Sequence, residues 1–240
     1  MPHQLSVITQ GKRKLIKRLK TKMYEIQNSI YDSRASTELS RLGIGYQPWS
    51  GAALRPSAMV GVLNEIVINN RNSVVEFGCG ISTLYISKIL SNVGGKVVSF
   101  EQDAEWAALV RNMIREYNLD SNCEIVTAPM GPCSNSLQNL EWYDESVVAN
   151  SIGDTEVNLV LVDGPTAYQP GFELSRYPAL NAVIPHMSKK CAVILDDINR
   201  AGEQEIIRKW EEETEFQFKI LNTKGNYAIG TRGLAFTSSM

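Results

Sequence analysis

An α/β fold is predicted here: a doubly wound, mostly parallel seven-stranded sheet with an antiparallel hairpin at its C-terminal edge. Three observations carry that expectation. From Ser73 onward, short and almost wholly apolar runs alternate with helical stretches, the pattern of parallel strands buried on both faces by crossover helices. Gly78-Cys79-Gly80 stands between the first of these runs and the helix that follows. The last two runs, Phe216–Leu221 and Tyr227–Thr231, are separated only by a turn around Lys224-Gly225-Asn226 and so pair antiparallel.

The totals suit one large soluble domain. The chain has 240 residues, 43% apolar and 21% charged, with a formal net charge of -2. That balance offers no excess of cations to meet phosphates, so no nucleic-acid partner is expected. No run reaches the length of a transmembrane segment, and the N-terminus lacks an apolar signal region. Cys79, Cys123, Cys133 and Cys191 show no C-x-x-C spacing; they read as reduced thiols of a cytoplasmic protein.

Two regions follow from the order of elements: an N-terminal arm over 1–56 and a ligand-binding domain over 57–240. Seven Lys or Arg residues lie between Gly11 and Lys22, and Leu15, Leu19, Met23, Ile26 and Ile30 recur three or four apart. An amphipathic helix is expected, packed on the domain with its basic face solvated; the other reading is peripheral contact with a membrane or an acidic partner. Gly43 to Pro56 is a loop bearing Tyr46 and Trp49, able to close over a ligand or to clasp the arm. Pro56-Ser57 opens a helix with the stripe Met59, Val60, Leu63, Ile66 and Val67.

Strands are then expected at 73–77, 96–101, 123–127, 157–163 and 191–196, with helices at 82–92, 104–118, near 176–187 and at 202–214. Residues 130–156 form a long polar connection, too long to be idle. Either this stretch or the N-terminal arm would serve as a lid or as the arm of a homodimer.

In an open parallel sheet ligands bind beyond the carboxyl ends of the strands. Four of those ends carry acids: Glu76 before Gly78, Glu101, Asp163, and the pair Asp196-Asp197. Converging acids repel one another unless a cation joins them, so the cluster points to function. Glu101, 23 residues beyond Gly78, is placed to accept ribose hydroxyls. Thr83 stands where a dinucleotide fingerprint has its third glycine, which argues against a pyrophosphate. There is no Gly-Lys-Ser/Thr phosphate loop. An acidic cleft suits a sulfonium cation carrying a ribose.

The run Glu76-x-Gly78-x-Gly80-x-Ser82, with Glu101 and the closing hairpin, resembles the class I methyltransferases over about residues 57–231. The resemblance implies a Rossmann-like methyltransferase that binds S-adenosylmethionine through Glu76, Gly78, Gly80, Ser82, Thr83 and Glu101. Val162-Asp163-Gly164-Pro165-Thr166-Ala167-Tyr168-Gln169-Pro170 and Asp197-Ile198-Asn199-Arg200, followed by Glu203, are similar to runs of the plant glucuronoxylan O-methyltransferases. This second likeness implies O-methylation of a saccharide or other small polar acceptor, with Asp163, Asp197 and Arg200 carrying the reaction and Arg176 matching an arginine after its first run. Beside it, Trp49 and Tyr168 fit either stacking on a sugar or aromatic acceptor or a place in the core, and Arg176 and Arg200 fit bidentate pairing with an acceptor carboxylate. Arg176 and Arg200 equally fit ion pairs with Glu203 and Glu205. A weaker likeness to the catechol-type O-methyltransferases implies Mg²⁺ or Mn²⁺ at Asp163, Asp196 and Asp197, although Asp197 and Thr166 replace that family's asparagine and lysine. Two other functions stay open: a metal-dependent methyltransferase of a catechol-like or natural-product hydroxyl, and a non-catalytic nucleotide-binding module docked by its basic helix.

Overall fold

The computed structural model describes residues 2–236, with side chains from residue 14 onward apart from that of Lys17. Two helices lead, α1 (Pro2–Ser40) and α2 (Pro56–Asn69), before the alternating β1 (Ser73–Phe77), α3 (Ile81–Val93), β2 (Lys96–Glu101), α4 (Ala104–Glu116) and β3 (Cys123–Thr127). A small hairpin of β4 (Met130–Gly131) and β5 (Trp142–Tyr143) precedes α5 (Glu145–Ile152) and β6 (Val157–Val162). The chain closes with α6 (Pro178–Val183), β7 (Met187–Leu195), α7 (Ala201–Glu213), β8 (Phe218–Leu221) and β9 (Tyr227–Arg232).

The main sheet has seven strands in the order β3-β2-β1-β6-β7-β9-β8. Its first five strands are parallel, and β9 runs antiparallel to both β7 and β8. Order reverses between β1 and β6, and there the crossovers leave the sheet in opposite directions, opening a crevice. Each strand feeds two cores. Leu159 and Leu161 of β6 face the layer containing Met59, Ile66, Leu84 and Val110. Val160 and Val162 face Trp142, Leu180, Ile206 and Trp210 on the other side. Burial on both faces is why these strands read as unbroken apolar runs.

Three stretches differ from their sequence expectation. Residues 130–156 hold a hairpin and a helix; Trp142 and Tyr143 are buried against the Phe77 ring, and Asp144 caps α5 by accepting from the Ser146 and Val147 amides. The helix expected near 176–187 is short because Pro185 stands in a 3₁₀ turn, Ile184–His186, which ends it. Consequently β7 begins at Met187 and its exposed start reads as loop in sequence.

The third difference concerns α1. The helix does lie on the domain, but not through its apolar stripe. Asn28, Ala35 and Leu39 are buried, whereas Leu15, Leu19, Met23, Ile26 and Ile30 are all about half exposed or more. Tyr24 donates to the Asn222 carbonyl at 2.7 Å, and Lys224 lies over the Tyr31 ring. Asp32 accepts from the Ser57 amide at 3.2 Å and from its hydroxyl at 2.5 Å, and it pairs with Arg55. Because Arg55 at the N-cap of α2 has no acceptor to offer, α1 supplies the cap from outside. Leu54 and Ile44 of the 41–55 loop enter the same core, so that loop clasps the arm as well as bordering the crevice. Among the described residues no helix is long and apolar enough to cross a membrane.

Trp142 is wholly buried, and its indole N–H has no partner. Trp142→Ala should therefore lower stability by about 3–5 kcal/mol in urea denaturation, the range for emptying a large aromatic site. Trp142→Phe should cost far less, since it keeps most of the ring contact and gives up no hydrogen bond.

Candidate active site at the carboxyl edge of the sheet

The turn after β1 is built on Glu76. This carboxylate is fully buried and accepts from the hydroxyls of Ser82 at 2.5 Å, Thr83 at 2.6 Å and Ser99 at 2.7 Å. Burial raises its pKa, and the three hydroxyls pull it back. Thr83 also accepts from the Gly80 amide at 2.9 Å, which closes the first turn of α3. Gly78 has φ of 93°, open to glycine at little cost, and a Cβ there would stand 2.9 Å from the Gly164 amide nitrogen. A Cβ on Gly164 would meet Gly78 Cα at 2.8 Å. The turns after β1 and β6 thus touch backbone to backbone.

A cavity of about 920 Å³ opens above these turns, within the size range of a cofactor site. Gly78, Gly80 and Ser82 line it, as do Glu101 and Trp106. Glu101 is nearly buried; burial raises its carboxyl, and amides including that of Asp103, 2.9 Å away, hold it in place. Trp106 donates its indole N–H to the Cys79 carbonyl at 2.7 Å. Bare backbone at Gly80, where a Cβ would meet nothing within 4 Å, and the Glu101 carboxylate fit the ribose-bearing cofactor expected from the sequence.

The opposite wall is the acid cluster. Asp163, Asp196 and Asp197 offer oxygens that all lie within 4.8 Å of one another. Arg176, almost fully buried, sits among them. It donates to the Pro165 carbonyl at 3.1 Å, to Asp197 Oδ2 at 3.1 Å, and to the carbonyl and Oδ1 of Asp163 at 2.5 and 3.3 Å. Glu203, buried at the start of α7, lies 3.6 Å away. Arg200 pairs with Asp197 at 2.8 Å and with Glu203 at 3.4 Å, while Glu205 turns outward to Arg208. Asp197 holds a left-handed backbone, φ 60°, which aspartate tolerates better than most residues.

Burial pushes the Asp163 carboxyl up to about 7 against the pull of Arg176. Burial, with Asp163 and Asp197 adjacent, raises Asp196 well above the usual carboxylate range. Its Oδ1 is buried without a hydrogen-bond partner. Four carboxylates therefore face two guanidinium groups. The oxygen-only donor set with one unpartnered oxygen fits a small hard cation such as Mg²⁺ or Mn²⁺, held by Asp163, Asp196 and Asp197.

The crevice brings together Gly78, Gly80, Ser82, Glu101, Asp163, Tyr168, Arg176, Asp196, Asp197 and Arg200. Four expected ligand contacts are placed differently. Glu76 and Thr83 stand behind the turn and brace it from the buried side. Trp49 packs on Tyr85 with ring centroids 5.9 Å apart and does not border the cavity. Arg176 borders the cavity, yet its guanidinium is committed to protein acceptors rather than free for an acceptor carboxylate. Conversely Trp106, Tyr143 and Asn226 border the cavity without having been singled out. A signal existed for Trp106 alone: it follows the N-cap Asp103 in the first turn of the helix leaving β2.

A model of a methyltransferase-domain family matches residues 75–198. A comparison with curated protein sequences finds no match. Among solved structures the chain is similar to the SAH-bound methyltransferase PaMTH1 of Podospora anserina, with TM-score 0.56 and 11% identity over 86% of this chain and 88% of that one. It is also similar to an O-methyltransferase of Bacillus cereus in complex with SAH, with TM-score 0.52 and 16% identity over 85% and 90%. A third is the SAM-bound O-methyltransferase TomG of Streptomyces achromogenes, with TM-score 0.52 and 12% identity over 84% and 89%. At these identities the likeness is one of fold.

The raised carboxyls set a sign for stability against pH. A buried acid whose folded pKa lies above its unfolded value keeps its proton in the fold, so the stability it lends is lost as pH rises. With Asp163 near 7 and Asp196 raised, the ligand-free protein should melt higher at pH 6 than at pH 8. Asp196→Asn should raise the pH 8 midpoint by several degrees and flatten that dependence, as read by differential scanning fluorimetry.

Proposed function

The chain belongs to the methyltransferase-domain family, and on that premise we propose an S-adenosylmethionine-dependent O-methyltransferase acting on a hydroxyl of a saccharide or other small polar acceptor. The observation that carries this reading is a shared cavity. The glycine turn with Glu101 forms one wall, and the acid cluster, with Asp163 poised near neutral pH, forms the other.

When bound, S-adenosylmethionine supplies a methyl group on a positively charged sulfur, which leaves as a neutral thioether. Gly78 and Gly80 would present bare backbone to that ligand, Glu101 would accept hydrogen bonds from its ribose hydroxyls, and Trp106 would wall that side of the cavity. The chain then has two tasks: aligning the acceptor oxygen, and taking its proton as it attacks. Arg176 holds Asp163 Oδ1, so Oδ2 is the oxygen left for a substrate hydroxyl. A carboxyl near 7 is charged at working pH yet basic enough to take a proton in the transition state. Asn199, Asn226, Thr166 and Arg200 give the acceptor side a polar wall, and the exposed Tyr168 ring adds a flat face, which suits a polyhydroxylated acceptor. Arg200, one-third exposed, is better placed than Arg176 to meet an acidic sugar. The thiols are all free, which supports a reducing, cytoplasmic setting.

One observation favours a second, metal-assisted reading: the unpartnered Asp196 Oδ1 within the three-aspartate group. A divalent ion there would supply Lewis-acid polarisation of the acceptor hydroxyl, and a catechol-like hydroxyl would then serve as well as a sugar.

Asp163→Asn should leave S-adenosylmethionine affinity within about threefold while cutting methyl transfer by about 10²–10⁴-fold, the usual contribution of a positioned base. The paired measurement is calorimetric binding and radiolabelled methyl transfer to a saccharide panel. In the wild type, kcat/KM should rise with pH through about 7, as Asp163 loses its proton. Unchanged transfer in the variant would remove Asp163 as the base, and a chain that binds cofactor but transfers to no acceptor would favour the binding-module reading.

Incubation with EDTA followed by readdition of Mg²⁺ separates the two mechanisms. Loss and recovery of transfer would establish the metal-assisted one, and full activity in chelator would exclude it.

A further inference from the structure

The helix α1 has two working faces, and only one is used by the fold. At about 100° per residue, Leu15, Ile16, Leu19, Met23, Ile26 and Ile30 fall within one arc of about 100°. All six are between 48% and 61% exposed. Tyr24, Asn28, Tyr31, Ala35 and Leu39, which meet the domain, lie on the other side of the helix. The stripe therefore points away from the body, and no described residue covers it. Its length, from residue 15 to residue 30, is about 22 Å at 1.5 Å per residue. A contiguous apolar face of that size on a water-exposed helix calls for a partner.

Charge says which partner. Lys12, Arg13, Lys14, Lys17, Arg18, Lys20 and Lys22 crowd the segment that carries the stripe, and no acid precedes Glu25. On the helical projection Lys20 and Lys22 flank the apolar residues on either side, and Arg18 stands next beyond Lys22. We propose that this face of α1 docks on an anionic lipid bilayer, lying in the plane of the headgroups with its aliphatic side chains inserted and its cations against lipid phosphates and carboxylates.

A second copy of the chain is a poorer occupant. Parallel pairing would set seven cations beside seven. Antiparallel pairing about the middle of the stripe would set them against residues 23–33, where the acids are Glu25 and Asp32. Asp32 is already taken by Arg55 and Ser57. The stripe also lacks tryptophan and phenylalanine, so attachment relies on charge as well as on aliphatic burial. It should be weak on neutral lipid and sensitive to salt. This surface is independent of the catalytic reading, and it would place the enzyme where acceptors at a membrane face are within reach.

The test is sedimentation of the full chain with vesicles of phosphatidylcholine alone and of phosphatidylcholine with about a third phosphatidylserine. Binding to the anionic vesicles should exceed binding to neutral ones by about tenfold or more and fall steeply as salt is raised. The double variant Leu19→Glu/Ile26→Glu should lose binding by about tenfold or more, its thermal midpoint unchanged because both sites are exposed. The triple reversal Lys14→Glu/Arg18→Glu/Lys22→Glu should also lose it. Equal sedimentation of wild type with both vesicle types, or double-variant binding at the wild-type level, would overturn the proposal. So would a wild-type dimer in light scattering that the double variant converts to monomer while vesicle binding is absent.

Discussion

The site depends first on one guanidinium in a nest of carboxylates. Arg176 joins the turn after β6, the turn after β7 and the first turn of α7, and it does so from a loop that leaves the sheet and returns. Without it, Asp163, Asp197 and Glu203 would be buried like charges within a few ångströms, and the turns that present them would separate. Breaking such a buried pair by removing one partner costs on the order of 3–5 kcal/mol, because the remaining charge is left uncompensated. Arg176 therefore acts as internal counter-ion and as strut. It lowers the repulsion enough for the acids to coexist, and protons held by Asp163 and Asp196 lower it further until a cationic ligand displaces them.

The other wall is held by a different device. Glu76 looks like a ligand contact in sequence because it sits at the head of a glycine turn. Yet its two oxygens accept three hydroxyl protons from residues on α3 and β2. A carboxylate thus fixes the turn from beneath and leaves the backbone above it bare. Thr83, in the place of a dinucleotide site's third glycine, belongs to that same network. Its presence is a feature of how this turn is braced.

β1 and β6 were legible because burial on both faces leaves a short apolar run that few other structures produce. The acids at their ends were legible because parallel topology sends all carboxyl ends to one edge. What stayed hidden was set by contacts distant in sequence. The partners of Arg176 lie up to 27 residues away, at Asp163, Asp197 and Glu203, and spacing alone could not choose between them and a substrate. Trp142 and Tyr143 were concealed in a polar stretch whose structure is dictated by Phe77, far upstream. For α1 the periodicity gave a stripe and a basic face, but the docking face was chosen by Tyr24 and Asp32, polar residues whose partners belong to the β8–β9 turn and to the start of α2.

The contact of Gly78 with Gly164 has a consequence for how such an enzyme changes its acceptor. On the proposed function, with no side chain between the two turns, the separation of the methyl donor's seat from Asp163 would be set largely by the main chain. Substitutions in the 41–55 loop or around Tyr168 can then reshape the acceptor's seat without detuning the reacting distance. Chemistry and selectivity would then be inherited separately, one in the two turns and the other in the rim.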